Sequence, residues 1–230
     1  MVDIENEYII DAYESFLGNK AFPCVAAKAA LAKEQVQCFV ADHMACPKDD
    51  TAILQFLYAF VDRYREATTS FHSAAVVFKG PEAPGEEAFE VLLWQRLQML
   101  IDLDAALHLY DHRVSNDSSS PEFGFSLKGE AFFVIGLHPR SCRPARQFAY
   151  PALVFNPHAE FEKLRATQSY EKMKDIVRKK DIAYSGFVNP MLTDFGTASD
   201  VYQYSGRQYG DDWQCPLKMS HARPPHHSAP

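Results

Sequence analysis

The chain is short of the features that mark several common protein classes. No apolar run approaches the roughly 20 residues that a membrane-spanning helix requires. No Lys/Arg-rich block occurs and the formal net charge is −7, which argues against a nucleic-acid surface. The five cysteines are odd in number and irregularly spaced, and none forms a CxxC pair; a disulfide framework is therefore not expected, and reduced thiols are. GxGxxG is absent, so no flavin or nicotinamide site is indicated. Asp194-Phe195-Gly196 imitates a kinase motif, but no Gly-rich loop, HRD or catalytic lysine accompanies it, and it reads as coincidence. The opening residues, MVDIENE, are acidic where a secretory signal is basic, so a cytoplasmic location is expected. No internal repeat is visible.

What is present fits one globular domain. A chain of 230 residues, 47% apolar and 23% charged, can bury a sizeable core. Its weak acidity suits a protein that recruits small cationic molecules. Glu7–Phe16 reads as a short helix ended by Gly18 in the left-handed C′ position. Val25–Glu34 is an Ala-rich helix with Pro23 and Cys24 at its entrance. A helix begins at Pro47–Thr51 and carries Ile53, Leu54, Leu57, Phe60, Val61 and Tyr64 at a spacing of 3.6 residues, one buried face. The longest helix, Glu86–His108, places Phe89, Leu93, Leu97, Leu100 and Ile101 on one side. Ala159–Lys180 is also helical, with Phe161, Leu164, Met173, Ile176 and Val177 inward. Strands are expected at Gln37–Ala41, Ser73–Phe78, Phe123–Leu127, Glu130–Leu137 and Pro151–Asn156; the third and fourth form a hairpin over Lys128-Gly129. Continuous apolarity from Ala131 to Leu137 marks a central strand covered on both faces. The expected fold is α+β: a single domain over residues 1–219 with one mixed, mostly antiparallel sheet of about five strands and helices packed on it. Residues 220–230, SHARPPHHSAP, read as a disordered polar tail.

Several groups could carry chemistry. Cys24 follows a proline at a helix start, where unpaired amides favour thiolate. Such a sulfur can attack an electrophile, exchange disulfides or ligate iron; equally, Cys24 can be a small buried residue. His138 ends an apolar strand, a common place for a site. Arg143 and Arg146 follow it and suit carboxylates, or form surface salt bridges. Trp94 can wall a flat cofactor or fill the core. Glu82, Glu86, Glu87 and Glu90 can bind a guanidinium or amine, or complement a helix dipole. Asp194, Tyr204, Arg207 and Trp213 lie in an irregular stretch that can cap a pocket. His43 and Cys46 form a lone pair of soft ligands, a weak zinc signal.

These motifs together resemble a known family. Phe22-Pro23-Cys24 before an Ala-rich helix, then DHMACPKDD, LLWQRLQ, GEAFFVIGLHPRSCRPAR, YPALVFNPH and NPMLTDFG are similar to the YqcI/YcgG-type family, from about Phe22 to Cys215. GEAFFVIGLHP is the most specific block. Characterised members are haem-dependent monooxygenases that hydroxylate a side-chain nitrogen of arginine or arginine-like amino acids. The resemblance implies a haem-binding domain holding haem b, with Cys24 as the iron ligand and His138 as its rival. It implies Arg143 and Arg146 as partners of the haem propionates or the substrate carboxylate, with dioxygen as co-substrate and an external reductase as electron donor. Two other functions remain open at this point: a haem-binding sensor or carrier without turnover, and a thiol-dependent enzyme with Cys24 as nucleophile and His138 as base.

Overall fold

Alternation along the strands and stripes along the helices determine how this chain folds. The computed structural model describes residues 3–166, 169–186, 198–210 and 212–219. The carboxylate of Asp3 accepts the amides of Glu5 and Asn6 and opens α1 (Ile4–Gly18), satisfying donors that the first helical turn leaves unpaired. Gly18 is the last helical residue and is not left-handed. An Asn19 turn ends the helix instead, with Asn19 Oδ1 accepting the amide of Ala21 at 2.9 Å and its carbonyl accepting that of Phe22. The side-chain acceptor supplies the stop that was expected of glycine. Next come α2 (Val25–Ala32) and β1 (Val36–His43), then α3 (Asp50–Glu66), β2 (Ser73–Gly80) and α4 (Glu86–Ala105). The order continues with β3 (Phe125–Leu127), β4 (Glu130–Leu137), β5 (Ala152–Pro157), α5 (His158–Ala166) and α6 (Ser169–Ser185).

The five strands form one sheet in the order β1-β2-β5-β4-β3. β1 and β2 run parallel and are joined through α3; every other pairing is antiparallel. The expected α+β architecture is thus present. Lys128 and Gly129 both have positive φ, 52° and 65°, the twist that a two-residue hairpin loop needs. The first hairpin arm is only Phe125–Leu127, because Phe123 bridges to Ser115 instead. α4 stops at Ala105, and the Asp104 carbonyl accepts the amides of Leu107 and His108. The carboxylate of Asp104 accepts the Tyr58 hydroxyl at 2.6 Å and the Lys128 amide at 2.9 Å, which anchors that helix end to the hairpin.

Both sheet faces are covered. Val76, Phe78, Phe132, Val134, Leu153 and Phe155 point to a core shared with α3 and α4. The interleaved residues Ala75, Val77, Leu137, Ala152 and Val154 point to α1 and α2. On α3 and α4 every residue expected to be inward is buried. In the C-terminal helical region Ile176 is exposed, at 47%, contrary to its expected inward position: its neighbour Val177, one position round the helix, lines the interior. The side chain of Leu164, Asp194 with the adjoining DFG triplet, and residues 220–230 lie outside what is described. Among the described residues no helix is long and apolar enough to cross a membrane.

Candidate functional site

Small residues hollow one side of the sheet. On the α1/α2 face, Ala26, Ala27 and Ala30 of α2 stand opposite Phe133, Ile135 and Val154, with α5 and α6 on top, and enclose a cavity of about 260 Å³. Cys24 lines it. It is the N-cap of α2, and its Sγ accepts the Ala27 amide at 3.4 Å. That placement agrees with the expectation; the expected thiolate does not follow. Burial raises the Cys24 thiol above its ordinary range and outweighs the amides of Ala27 and Ala26, which pull the other way.

The two arginines also reach this cavity, with different roles. Arg146 is held by main chain: Nη1 donates to the carbonyls of Gly136 and Tyr204 at 3.0 and 3.3 Å, and Nη2 to that of Gln203 at 2.9 Å. It clamps the 198–210 segment onto the end of β4, and burial works against its charge. Arg143 pairs with Asp181 of α6 through Nη2 at 3.1 Å, while its Nε is buried with no hydrogen-bond partner. Arg143 is therefore the cation with an uncommitted donor.

Sequence reasoning missed a second polar cluster at the far end of the cavity, made by His72, Glu160 and Asn156. Ser73 Oγ donates to Asn156 Oδ1 at 3.0 Å, and Glu160 Oε2 accepts the Phe71 amide at 2.9 Å. His72 Nδ1 lies 3.5 Å from Glu160 Oε1, and neither atom has a hydrogen bond. Glu160 stands in the first turn of α5, where a carboxylate normally reads as dipole complement; no signal in the chain separated it from that role.

His138 does not join these groups. It follows β4 in phase with Val134 and Gly136, so it faces α4 and stacks on Phe89 at 4.3 Å. Both ring nitrogens are buried without partners, and burial lowers its pKa to about 4. The expected role of His138 as base for Cys24 requires it on the other face of the sheet, and as an iron ligand it would hold the metal apart from the Cys24 cavity. Trp94 packs between Tyr204 and Trp213, and with Glu87, Glu90, Arg96 and Arg207 it lines a second, more open cleft of about 860 Å³ apart from the Cys24 cavity. The carboxylate cluster does bind guanidinium groups, but the chain's own: Arg140 pairs with Glu82, and Arg207 with Glu87 and Glu90 at 2.9 and 2.7 Å. Glu86 accepts the Cys142 amide. Tyr204 is fully buried, its hydroxyl on the Phe132 carbonyl at 3.3 Å. His43 Nδ1 accepts the Ala45 amide and Cys46 is exposed. Among the described residues no three His, Cys, Asp or Glu side chains gather closely enough to hold a metal ion directly.

A mixed sheet packed on one face and hollow on the other, with a helix-capping cysteine and a half-paired arginine in the hollow, defines a single-sheet α+β protein with a largely apolar cavity edged by a few polar groups. The chain belongs to the YqcI/YcgG family, whose model matches residues 13–218 and so takes in all the cavity residues from Tyr13 to Gln203. It is similar to a Bacillus subtilis (strain 168) protein described as uncharacterized protein YqcI, 29% identical over 187 residues that cover 78% of this chain and 72% of that one. No solved structure matches the chain.

Proposed function

We propose that the protein is a haem-dependent N-oxygenase that hydroxylates a side-chain nitrogen of an arginine-like amino acid or related amine, with dioxygen and an external electron donor. The observation that carries this reading is Cys24 Sγ at the helix N-cap, facing an apolar cavity that Arg143 also enters. The donor set suits haem b. A sulfur that accepts a main-chain amide is a ready thiolate once a metal cation replaces its proton, and Arg143 Nε is free for a propionate. Haem, when bound, supplies the activation of dioxygen, and a sulfur ligand favours O–O cleavage.

The space suits a small ligand better than a macrocycle. At about 260 Å³ the cavity falls just below the roughly 300–1,000 Å³ of sites for drug-sized molecules. Loading therefore requires α6, which contributes Val177 and Asp181 to the roof, to stand off the sheet. The Arg143–Asp181 pair is one contact that holds α6 down. The chain's own contributions are then the sulfur, a water-poor wall of Phe22, Phe133, Ile135 and Leu137, and cations that orient carboxylates.

The test is protein expressed with a haem precursor. A Soret band, lost in Cys24→Ser and kept in His138→Ala, together with an oxygen-dependent gain of one oxygen atom on arginine or a related amine by mass spectrometry, supports the proposal. Colourless protein under those conditions overturns it, and a Soret band without any oxygenated product reduces it to a haem carrier or sensor.

A further inference from the structure

We infer that Glu160, beside His72, binds the α-ammonium group of the substrate and so holds the amino acid with its side-chain nitrogen pointing toward Cys24. This rests on the function proposed above, in which α6 stands off the sheet so that haem at Cys24 and the amino acid at Glu160 share the widened cavity. Glu160 and His72 are only 5% and 9% exposed, and both line the cavity. One carboxylate oxygen is spent on the Phe71 amide; the other, Oε1, has no donor. His72 Nδ1 stands 3.5 Å from it, beyond the roughly 2.7–2.9 Å of a charge-assisted bond. The two atoms stand at ion-pair distance without closing to a hydrogen bond, which leaves Oε1 open to a further donor; buried polar atoms are nearly always satisfied. A carboxylate oxygen accepts only, so the missing group is a donor, and a buried anion favours a cationic one.

The backbone points the same way. Phe71 is held at φ 76°, a conformation that an aromatic residue avoids, and its amide is fixed by Glu160. Strain of this kind is kept where the surroundings over-determine it, commonly at ligand sites.

Position selects which cation. The Glu160 cluster lies at the end of the cavity marked by Phe133, which pairs with Asn156, and Arg146 grips Gly136 at the other end, where Leu137 pairs with Ala152. Phe133 and Leu137 are four residues apart, roughly 13 Å along a strand. An arginine-like molecule carries a cation at each end. With the reacting nitrogen near Cys24, the cation that reaches Glu160 is the α-ammonium.

Calorimetry on the purified chain with three ligands tests this. Arginine and agmatine, both of which keep an ammonium or amine at that end, are expected to bind, and Nα-acetylarginine at least tenfold more weakly than arginine. Glu160→Gln retains an acceptor for the Phe71 amide; it is expected to weaken arginine at least tenfold and to erase the difference between arginine and its acetylated form. Nα-acetylarginine binding within twofold of arginine overturns the inference using wild-type protein alone, whatever the variant's stability, and so does arginine that fails to bind. The Soret measurement is independent: ammonium discrimination without haem leaves this inference standing and sinks the oxygenase reading, and haem without discrimination does the reverse.

Discussion

The two faces of the sheet carry similar side chains and use them differently. Against α3 and α4, large residues meet large residues, and the charged groups beside them pair within the chain. Arg96 pairs with Asp50 and donates to the carbonyls of Met44 and Cys46. Glu90 accepts from Arg207, Trp94 and Trp213. Against α2, α5 and α6, alanines face the sheet, a cavity remains, and Cys24, Arg143, His72 and Glu160 surround it with donors and acceptors left over. Side-chain volume, more than the kind of polar residue, decides which face can bind something.

Breaking the filled face should cost most. Asp50→Ala leaves the Arg96 guanidinium buried without its carboxylate, with an expected loss of about 3–5 kcal/mol in denaturant unfolding and no change in the affinity of any ligand that the cavity retains. A stability change under about 1 kcal/mol would mean that this pair is solvated like a surface bridge.

A matched pair of enlargements sharpens the contrast. A Cβ on Gly136 would lie 2.7 Å from side-chain atoms of Leu93 and Phe89 and 2.9 Å from the Tyr204 carbonyl. Gly136→Ala is therefore expected to cost about 1–3 kcal/mol through overpacking. Ala27→Leu, on the hollow face, keeps helix propensity and enters empty space, with an expected change under about 1 kcal/mol and loss of ligand binding. Equal costs for the two, measured by thermal unfolding, would remove the distinction between the faces.

His138 gives the smallest effect at neutral pH and a directional one in acid. Its native pKa of about 4 lies below the unfolded value of about 6.5, so its neutral form is the one the fold accepts. Its contribution is fully present above about pH 6.5 and declines as pH falls toward 4, because the unfolded chain takes up the proton first, at no more than about 1.4 kcal/mol per pH unit. Replacing it with phenylalanine should flatten the stability profile across that window; an unchanged slope would assign the acid sensitivity to other groups.

Much of the frame was readable because it is periodic. The stripes on α3 and α4, the apolar run in β4 and the Lys128-Gly129 turn are all local patterns with one physical solution each. Of the candidate site, Cys24 and Arg143 were legible as types, since a thiol at a helix start and an arginine after a strand carry their chemistry in the chain. The charge on Cys24 was not: the helix end favours thiolate, burial opposes it, and burial wins only because α1, the sheet and α6 enclose it. The parity of His138 with Val134 and Gly136 could be counted along β4, but not which face that parity would meet. His72 and Glu160 come from a strand start and a helix start 88 positions apart and form a cluster only because β2 and β5 are neighbours.

The sequence alone determined most of the elements, the buried faces of α3 and α4 and a single mixed sheet, because hydrophobic spacing of 2 or 3.6 residues leaves little choice of local structure. Only the tertiary structure decided where the empty space falls, which polar atoms go unpaired beside it, and that Cys24 and His138 lie on opposite sides of the sheet. Those outcomes depend on long-range strand order and on the summed volumes of side chains from distant segments, quantities that no local stretch of the chain contains.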